Sequence, residues 1–207
     1  MNQDEFGQVF SNIMLLAQSL KSECSALCSL IDEEDDIDHV VKYVEMSYHD
    51  CEEIMNEIRT IYGNNLDDSE NRGDFLYSVA SSLVDLIHSV DDTAKDFKRY
   101  NISGLRENIV PSMQSCENVA DKIIDVAFEM KKIDKSNYSF RTLLDIDHLR
   151  NEGVRFYDNQ MNELFTTEKD PVEIIKWVAI YKSFKNIFEK CGKFVVASTL
   201  YTMYIIR

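Results

Sequence analysis

Apolar residues recur along this chain in alternating steps of four and three residues. In the first such segment they are Phe6, Phe10, Ile13, Ala17, Leu20, Cys24, Leu27 and Ile31. The same spacing returns from Val40 to Ile61 (with one polar lapse at Ser47), from Leu76 to Phe97, from Ile109 to Met130 and from Trp177 to Ser198. A looser version runs from Ile146 to Leu164. A repeat averaging 3.5 residues is typical of helices that pack in antiparallel bundles. The pattern therefore predicts an all-α fold of six long helices, without a sheet.

Polar and charged segments separate these helices. The predicted linkers are Asp32–Asp38, Gly63–Asp74, Asn101–Gly104 and Asp134–Tyr138. Pro111 lies near the start of the fourth helix, where it either kinks the helix or marks its true beginning. Six helices of similar length indicate two three-helix repeats, residues 1–102 and 103–207, packed side by side as one domain.

Composition and charge narrow the classes of function. Only 2 Pro and 6 Gly stand against 44% hydrophobic residues in 207, which favours long helices. The net charge of −15 argues against nucleic-acid binding, which needs clustered Lys and Arg, and favours a basic partner. We expect a cytoplasmic protein, because the chain shows neither a secretory signal nor an apolar stretch of about 20 residues. The five cysteines contain no C-x-x-C pair, so we expect buried free thiols.

The segment from Leu164 to Tyr181 reads L-F-T-T-E-K-D-P-V-E-I-I-K-W-V-A-I-Y. It predicts a helix ending at Leu164–Phe165, a charged loop, and a new helix opened by Pro171, where a missing N–H is harmless. This segment resembles the junction before the last helix of the PhoU-like family, whose members are accessory proteins often encoded beside Pit-type phosphate transporters. The resemblance covers most of the chain and is strongest over residues 149–197 and 79–102.

The resemblance also implies where a metal motif would fall. The family carries, on each of four helices, a carboxylate followed four residues later by a second one, and such residues share a helix face. The matching pairs here are Tyr48 and Glu52, Val84 and His88, Arg150 and Val154, and Lys185 and Glu189. Of these eight positions, only Glu52 and Glu189 are acidic. The resemblance therefore implies a member that kept the fold and largely lost its metal sites.

We expect no metal in the second repeat. Two unit charges about 6 Å apart at a dielectric constant of about 20 interact by roughly 3 kcal/mol. A divalent ion at that distance from Arg150 or Lys185 would therefore be repelled by about twice this energy. Either these cations pair with Glu152 or Glu189, or they form an anion site for phosphate. In the first repeat, Glu52, Asp85 and His88 remain candidate ligands for iron or zinc.

Three further patterns are weaker. Asp85-x-x-His88 and Asp145-x-x-His148 echo the Glu-x-x-His spacing of di-iron bundles, but exposed residues explain them better. Glu117 and Asp121 form a carboxylate pair on a helix surface. The chain has no P-loop, nucleophile elbow or zinc-finger spacing.

The favoured hypothesis is a non-catalytic regulator of phosphate transport that contacts a Pit-type transporter without entering the membrane. The first alternative is a metal-binding bundle that uses Glu52, Asp85, His88, Asp145 and His148. The second is a structural protein that self-associates as a homodimer or pairs with a paralogue that kept the ligands.

Overall fold

Six α-helices and no β-strand make up the described parts of the chain. The computed structural model describes residues 2–31, 36–65, 72–102, 104–133 and 139–207. The helices are α1 (Gln3–Cys28), α2 (Ile37–Gly63), α3 (Arg72–Arg99), α4 (Val110–Lys132), α5 (Arg141–Thr167) and α6 (Pro171–Ile206). A single 3₁₀ turn, Glu107–Ile109, precedes α4. The predicted fold class, an all-α bundle of six helices, is confirmed.

The helix starts follow local capping chemistry. Asn2 and Glu5 form a reciprocal capping box at the start of α1. Asp36 caps α2 by accepting the His39 N–H. Pro111 is the second residue of α4, so it marks the start of that helix. Asp170 accepts the Val172 N–H at 2.8 Å, directly before Pro171.

The predicted linker boundaries need small corrections. Helix α2 begins at Ile37, inside the predicted linker Asp32–Asp38, because the Asp36 side chain caps it there. Helix α3 begins at Arg72, two residues before the expected end of the second linker. Helix α5 continues past Leu164–Phe165 to Thr167, where Glu168 ends it. Residues 32–35, 66–71, 103 and 134–138 of the predicted linkers lie outside the described residues.

Pairs of side chains show that neighbouring helices run antiparallel. Lys98 near the end of α3 pairs with Asp38 near the start of α2, and Tyr62 near the end of α2 bonds to Asp74 near the start of α3. Helix α2 packs against α1 and α3, and α5 packs against α4 and α6. The two groups of helices meet where α1 packs on α4 and α3 packs on α6.

One hydrophobic cluster extends through both groups of helices. Trp177 and Tyr201 of α6 are buried in it, and the Tyr204 ring lies 5.2 Å from that of Phe75 on α3. Other helices of the same chain therefore cover one side of the apolar end of α6, while Leu200 and Met203 are exposed on the other. All five cysteines are free thiols, and four of them are buried. In the described segments, no helix combines the length and apolar character that crossing a membrane requires.

Candidate functional site

The motif positions of α2 and α3 hold side chains that contact one another or the core. On α2, the Tyr48 hydroxyl donates to a Glu52 carboxylate oxygen at 3.1 Å. On α3, Val84 is buried, and the His88 ring stacks on the Tyr48 ring with centroids 5.2 Å apart. The one acid left at these positions, Glu52, is thus held by the residue one turn before it.

The motif positions of the last two helices show the same self-pairing. Lys185 Nζ on α6 lies 3.6 Å from Glu189 Oε1, which confirms the predicted partner of Lys185. The ammonium group also lies 4.6 Å from the Tyr157 ring centroid on α5. The predicted partner of Arg150 is wrong. Its guanidinium donates to Asp147 at 2.9 Å instead, because Asp147 lies one turn back on the same face of α5.

The two anion-site candidates do not share a groove in the described structure. Arg150 lines one depression together with Asp85, Asp147 and Glu189. Lys185 lines a second depression together with Glu189 and several other residues of α3 and α6. Each cation already faces carboxylates, and Asp147 and Asn151 both accept hydrogen bonds from Arg150. This arrangement favours ion pairing over capture of a free phosphate.

The three metal candidates on α2 and α3, Glu52, Asp85 and His88, contact different helices. Asp85 Oδ2 lies 3.1 Å from Lys193 Nζ and 3.4 Å from Lys190 Nζ, both on α6. His88 instead contacts Tyr48 of α2. Residues three apart on a helix differ by about 60° in direction, and α2 and α6 flank α3 on different sides. The structure therefore does not bring Glu52, Asp85 and His88 together.

A different group on α3 does bring metal-binding atoms together. One ligand atom each from His88, Asp91 and Asp92 lies within 4.8 Å of the others, and no other such group of three occurs among the residues that the structure describes. His88 Nε2 lies 3.7 Å from Asp92 Oδ1. His88 and Asp92 are exposed, whereas Asp91 is only 1% exposed. Lys95 Nζ binds Asp91 Oδ2 at 2.8 Å and lies 3.6 Å from Glu45 on α2.

A second buried acid, Glu23, lies on α1 within electrostatic influence of Asp91. Glu23 on α1 has 0% exposure, and neither of its carboxyl oxygens has a hydrogen-bond partner. Burial raises the pKa of Glu23 to about 9; the Ser47 hydroxyl on α2 works against this shift and the Asp91 carboxylate adds to it. Glu23 is therefore protonated at neutral pH. The three helices α1, α2 and α3 thus enclose a polar layer made of Glu23, Ser47 and Asp91.

Sequence reasoning missed Glu23 and Asp91, although a signal for both was present. Glu23 lies three residues after Leu20 and four before Leu27, and Asp91 lies four after Ile87 and three before Ala94. Each acid therefore lies next to a residue of the apolar series, Glu23 beside Cys24 and Asp91 beside Val90, on the side of its helix that faces the core. Ser47, the polar residue within the apolar series of α2, interacts with Glu23. The three polar residues Glu23, Ser47 and Asp91 therefore belong to one layer of the bundle.

The remaining candidates are ordinary surface groups. His148 and Asp145 are exposed, and His148 Nδ1 lies 3.6 Å from Glu152 Oε2 on the same helix. Glu117 and Asp121 on α4 both bind Lys21 of α1, at 3.1 and 2.8 Å. The carboxylate pair of α4 therefore helps join α1 to α4.

Comparison with known proteins adds no family to this description. No protein-family model matches the chain, and no curated protein matches it. The class that fold and site define is an all-α six-helix bundle with a His and carboxylate cluster on α3 and a further buried acid, Glu23, on α1.

Proposed function

We propose that this protein is a non-catalytic accessory protein of phosphate transport that acts by contact with a Pit-type transporter on the cytoplasmic side of the membrane. The proposal rests on the resemblance of the chain to the PhoU-like family. The observation that carries it is the self-pairing at the motif positions. Glu52 is held by Tyr48 and Glu189 by Lys185, so these acids are engaged without an ion.

The outer face of α2 is the surface that best fits a basic partner. Asp50, Glu53 and Glu57 are exposed along it, and Tyr43 and Met46 expose apolar surface beside them. Cytoplasmic loops of membrane proteins are enriched in Lys and Arg, which complement such a surface. We therefore assign transporter contact to this face.

Co-purification tests the proposal. A Pit-type transporter from the same organism is co-expressed with the tagged chain, and the complex is isolated at low and at high phosphate. The transporter is expected to co-purify with the parent protein. The double variant Asp50→Lys, Glu53→Lys is expected to lose most of it. Asp145→Lys with Asp158→Lys reverses two exposed acids on α5 and serves as the control that retains binding. Lack of association at both phosphate levels contradicts the proposal.

A metal-binding bundle is the second candidate, and the His88, Asp91 and Asp92 cluster favours it. The cluster replaces the ligand set Glu52, Asp85 and His88 while keeping His88. One imidazole and two carboxylates suit zinc or iron. Metal analysis of protein purified without a His tag tests this candidate: stoichiometric metal that is lost in His88→Ala with Asp92→Asn supports it, and sub-stoichiometric metal in the parent protein rejects it.

A further inference from the structure

The outward face of α6 carries an aligned set of exposed apolar side chains. Five large apolar residues of this helix are between 42% and 65% exposed, against at most two on any other described helix: Val172, Ile175, Val196, Leu200 and Met203. Three heptads separate Ile175 from Val196, and the others lie three or four residues from these two, so all five share one stripe of the helix. Apolar side chains exposed singly are ordinary, whereas an aligned set marks an interaction surface.

The stripe, which runs from Val172 to Met203, reads alike in both directions. Its polar residues lie in the middle, and its apolar residues lie at both ends. Positions at equal distance from the centre hold the same kind of side chain: Val172 and Met203, Ile175 and Leu200, Ala179 and Val196. A two-fold axis requires this self-complementarity of a surface that binds a second copy of itself.

We propose that the protein forms a homodimer in which α6 packs antiparallel on α6 of a second copy, about a two-fold axis that crosses the stripe between residues 187 and 188. Ile175 then meets Leu200 of the partner subunit, and the symmetry repeats this contact at the other end. The inference goes beyond the proposed function and does not depend on it, because transporter contact is assigned to the outer face of α2.

The charges in the middle of the stripe complement one another across the axis. Antiparallel packing places exposed Lys182 one helical turn from Glu189 of the partner subunit, and no described residue forms an ion pair with Lys182 in its own chain. Glu189 is exposed and reaches Lys185 at 3.6 Å. Lys193, which comes opposite Lys182, is already paired with Asp85 at 3.1 Å. The dimer therefore gains two symmetric contacts between Lys182 and Glu189.

The face is also large enough for a stable dimer. From residue 172 to residue 203 the stripe is about 46 Å long at 1.5 Å per residue. Two shallow depressions flank it, one lined by Ile175 and the other by Leu200, each together with residues of α3 and α5. With these flanks the face is about 20 Å wide and covers roughly 900 Å² per chain, and stable interfaces bury about 800 Å² per partner.

Sedimentation velocity of the full chain from about 1 to about 100 μM tests the association. The parent protein is expected to have the mass of a dimer. The double variant Ile175→Glu, Leu200→Glu places charges at both ends of the stripe and should raise the dissociation constant by at least about 100-fold. Leu144→Glu with Phe165→Glu changes two similarly exposed apolar residues of α5 and should dimerise like the parent protein.

Disulfide cross-linking tests the orientation. Residue 186 lies beside the proposed axis, so Asn186→Cys is expected to link two chains on oxidation. Val172→Cys is expected not to do so, because the two copies of residue 172 lie about 46 Å apart in the antiparallel dimer. The parent protein, four of whose five thiols are buried, is oxidised alongside as the blank.

Three results overturn the inference. A parent protein that stays monomeric up to the highest concentration has no such dimer; if Ile175→Glu, Leu200→Glu then weakens co-purification with the transporter, the stripe binds that partner instead. A dimer that is unchanged in this variant uses another face. Equal cross-linking of Val172→Cys and Asn186→Cys shows a parallel arrangement. A circular dichroism spectrum of each variant confirms that it is folded.

Discussion

The ring of Phe188 on α6 lies directly against the backbone of Gly153 on α5. A Cβ atom at Gly153 would overlap the nearest ring carbons of Phe188. We expect Gly153→Ala to force α5 and α6 apart, since overpacking of a core contact costs about 1–3 kcal/mol. Urea unfolding should show this loss as a lower midpoint.

Gly7→Ala is the matched control for that substitution. Gly7 lies in α1, and a Cβ there meets no atom within 4 Å. Alanine favours a helix over glycine by up to about 1 kcal/mol, so this variant is expected to be as stable as the parent or more stable. Equal stability of Gly153→Ala and the parent would show that the α5 and α6 contact is looser than the structure has it.

Glu23→Gln is expected to stabilise the fold in metal-free buffer. The pKa of Glu23 is raised from 4.5 to about 9, so the folded chain keeps at pH 7 a proton that the unfolded chain releases. This difference lowers the free energy of unfolding of the parent protein by up to about 3 kcal/mol at pH 7. Gln does not ionise, so Glu23→Gln removes this destabilisation.

The pH dependence gives the sharper measurement. For an acid with a raised folded pKa, stability is greatest below the unfolded pKa and falls as pH rises from 4.5 toward 9. The difference in free energy of unfolding between Glu23→Gln and the parent protein should therefore increase by about 1.4 kcal/mol per pH unit across this window. An exposed control, Glu53→Gln, should show no such widening. A constant gap would mean that Glu23 ionises normally in the folded protein.

Asp85→Asn tests the contact between α3 and α6. Partial burial would raise the pKa of Asp85, but Lys193 and Lys190 outweigh burial and lower it below 3.8. The ion pairs therefore stabilise the fold above that pH and lose their effect as pH falls below it. Because the groups are partly exposed, we expect Asp85→Asn to lower the free energy of unfolding by at most about 1 kcal/mol at pH 7. This difference should be smaller at high salt, which screens the ion pairs. Chemical denaturation at two salt concentrations measures it, and Asp145→Asn, at an exposed site on α5, is the control.

Arg106→Lys is expected to alter the environment of Trp177, the one tryptophan of the chain. The Arg106 guanidinium lies 5.1 Å from the Trp177 ring centroid and binds Glu168 in the loop before α6. Lysine cannot stack on the Trp177 ring and at the same time bind Glu168 through a planar guanidinium. The free energy of unfolding of the variant should therefore be lower by about 0.5–1 kcal/mol. Tryptophan fluorescence should shift as well. Arg155→Lys, at an exposed position of α5, should change neither, and an unchanged spectrum for Arg106→Lys would contradict the stacking.

Much of the fold follows from local pattern. The alternating apolar steps located all six helices, and Pro111 and Pro171 marked two of their starts. Two helix boundaries differ from the prediction. Helix α2 begins at Ile37 because the Asp36 side chain caps it, and α5 continues to Thr167 because polar residues can occupy the last turn of a helix. The pairing of Lys185 with Glu189 was also predictable, since residues four apart share a helix face.

The candidate site was less predictable, because it depends on which helices are neighbours. Asp85 and His88 are close in sequence, yet Lys190 and Lys193 hold Asp85 on the α6 side while Tyr48 holds His88 on the α2 side. Arg150 pairs with Asp147, one turn back on the same face of α5, and not with the predicted Glu152 or Glu189. These partners are settled by distances between side chains, which periodicity does not contain.

The sequence alone determined that this chain forms long amphipathic helices with an apolar seam, since 3.5-residue periodicity is a property of neighbouring positions on one helix. Only the tertiary structure decided that Glu23 and Asp91, 68 positions apart in the chain, are both buried in the core. Their burial, which leaves both Glu23 oxygens and Asp91 Oδ1 without a hydrogen-bond partner, arises from the way α1, α2 and α3 close around them, because desolvation depends on everything that surrounds a charge.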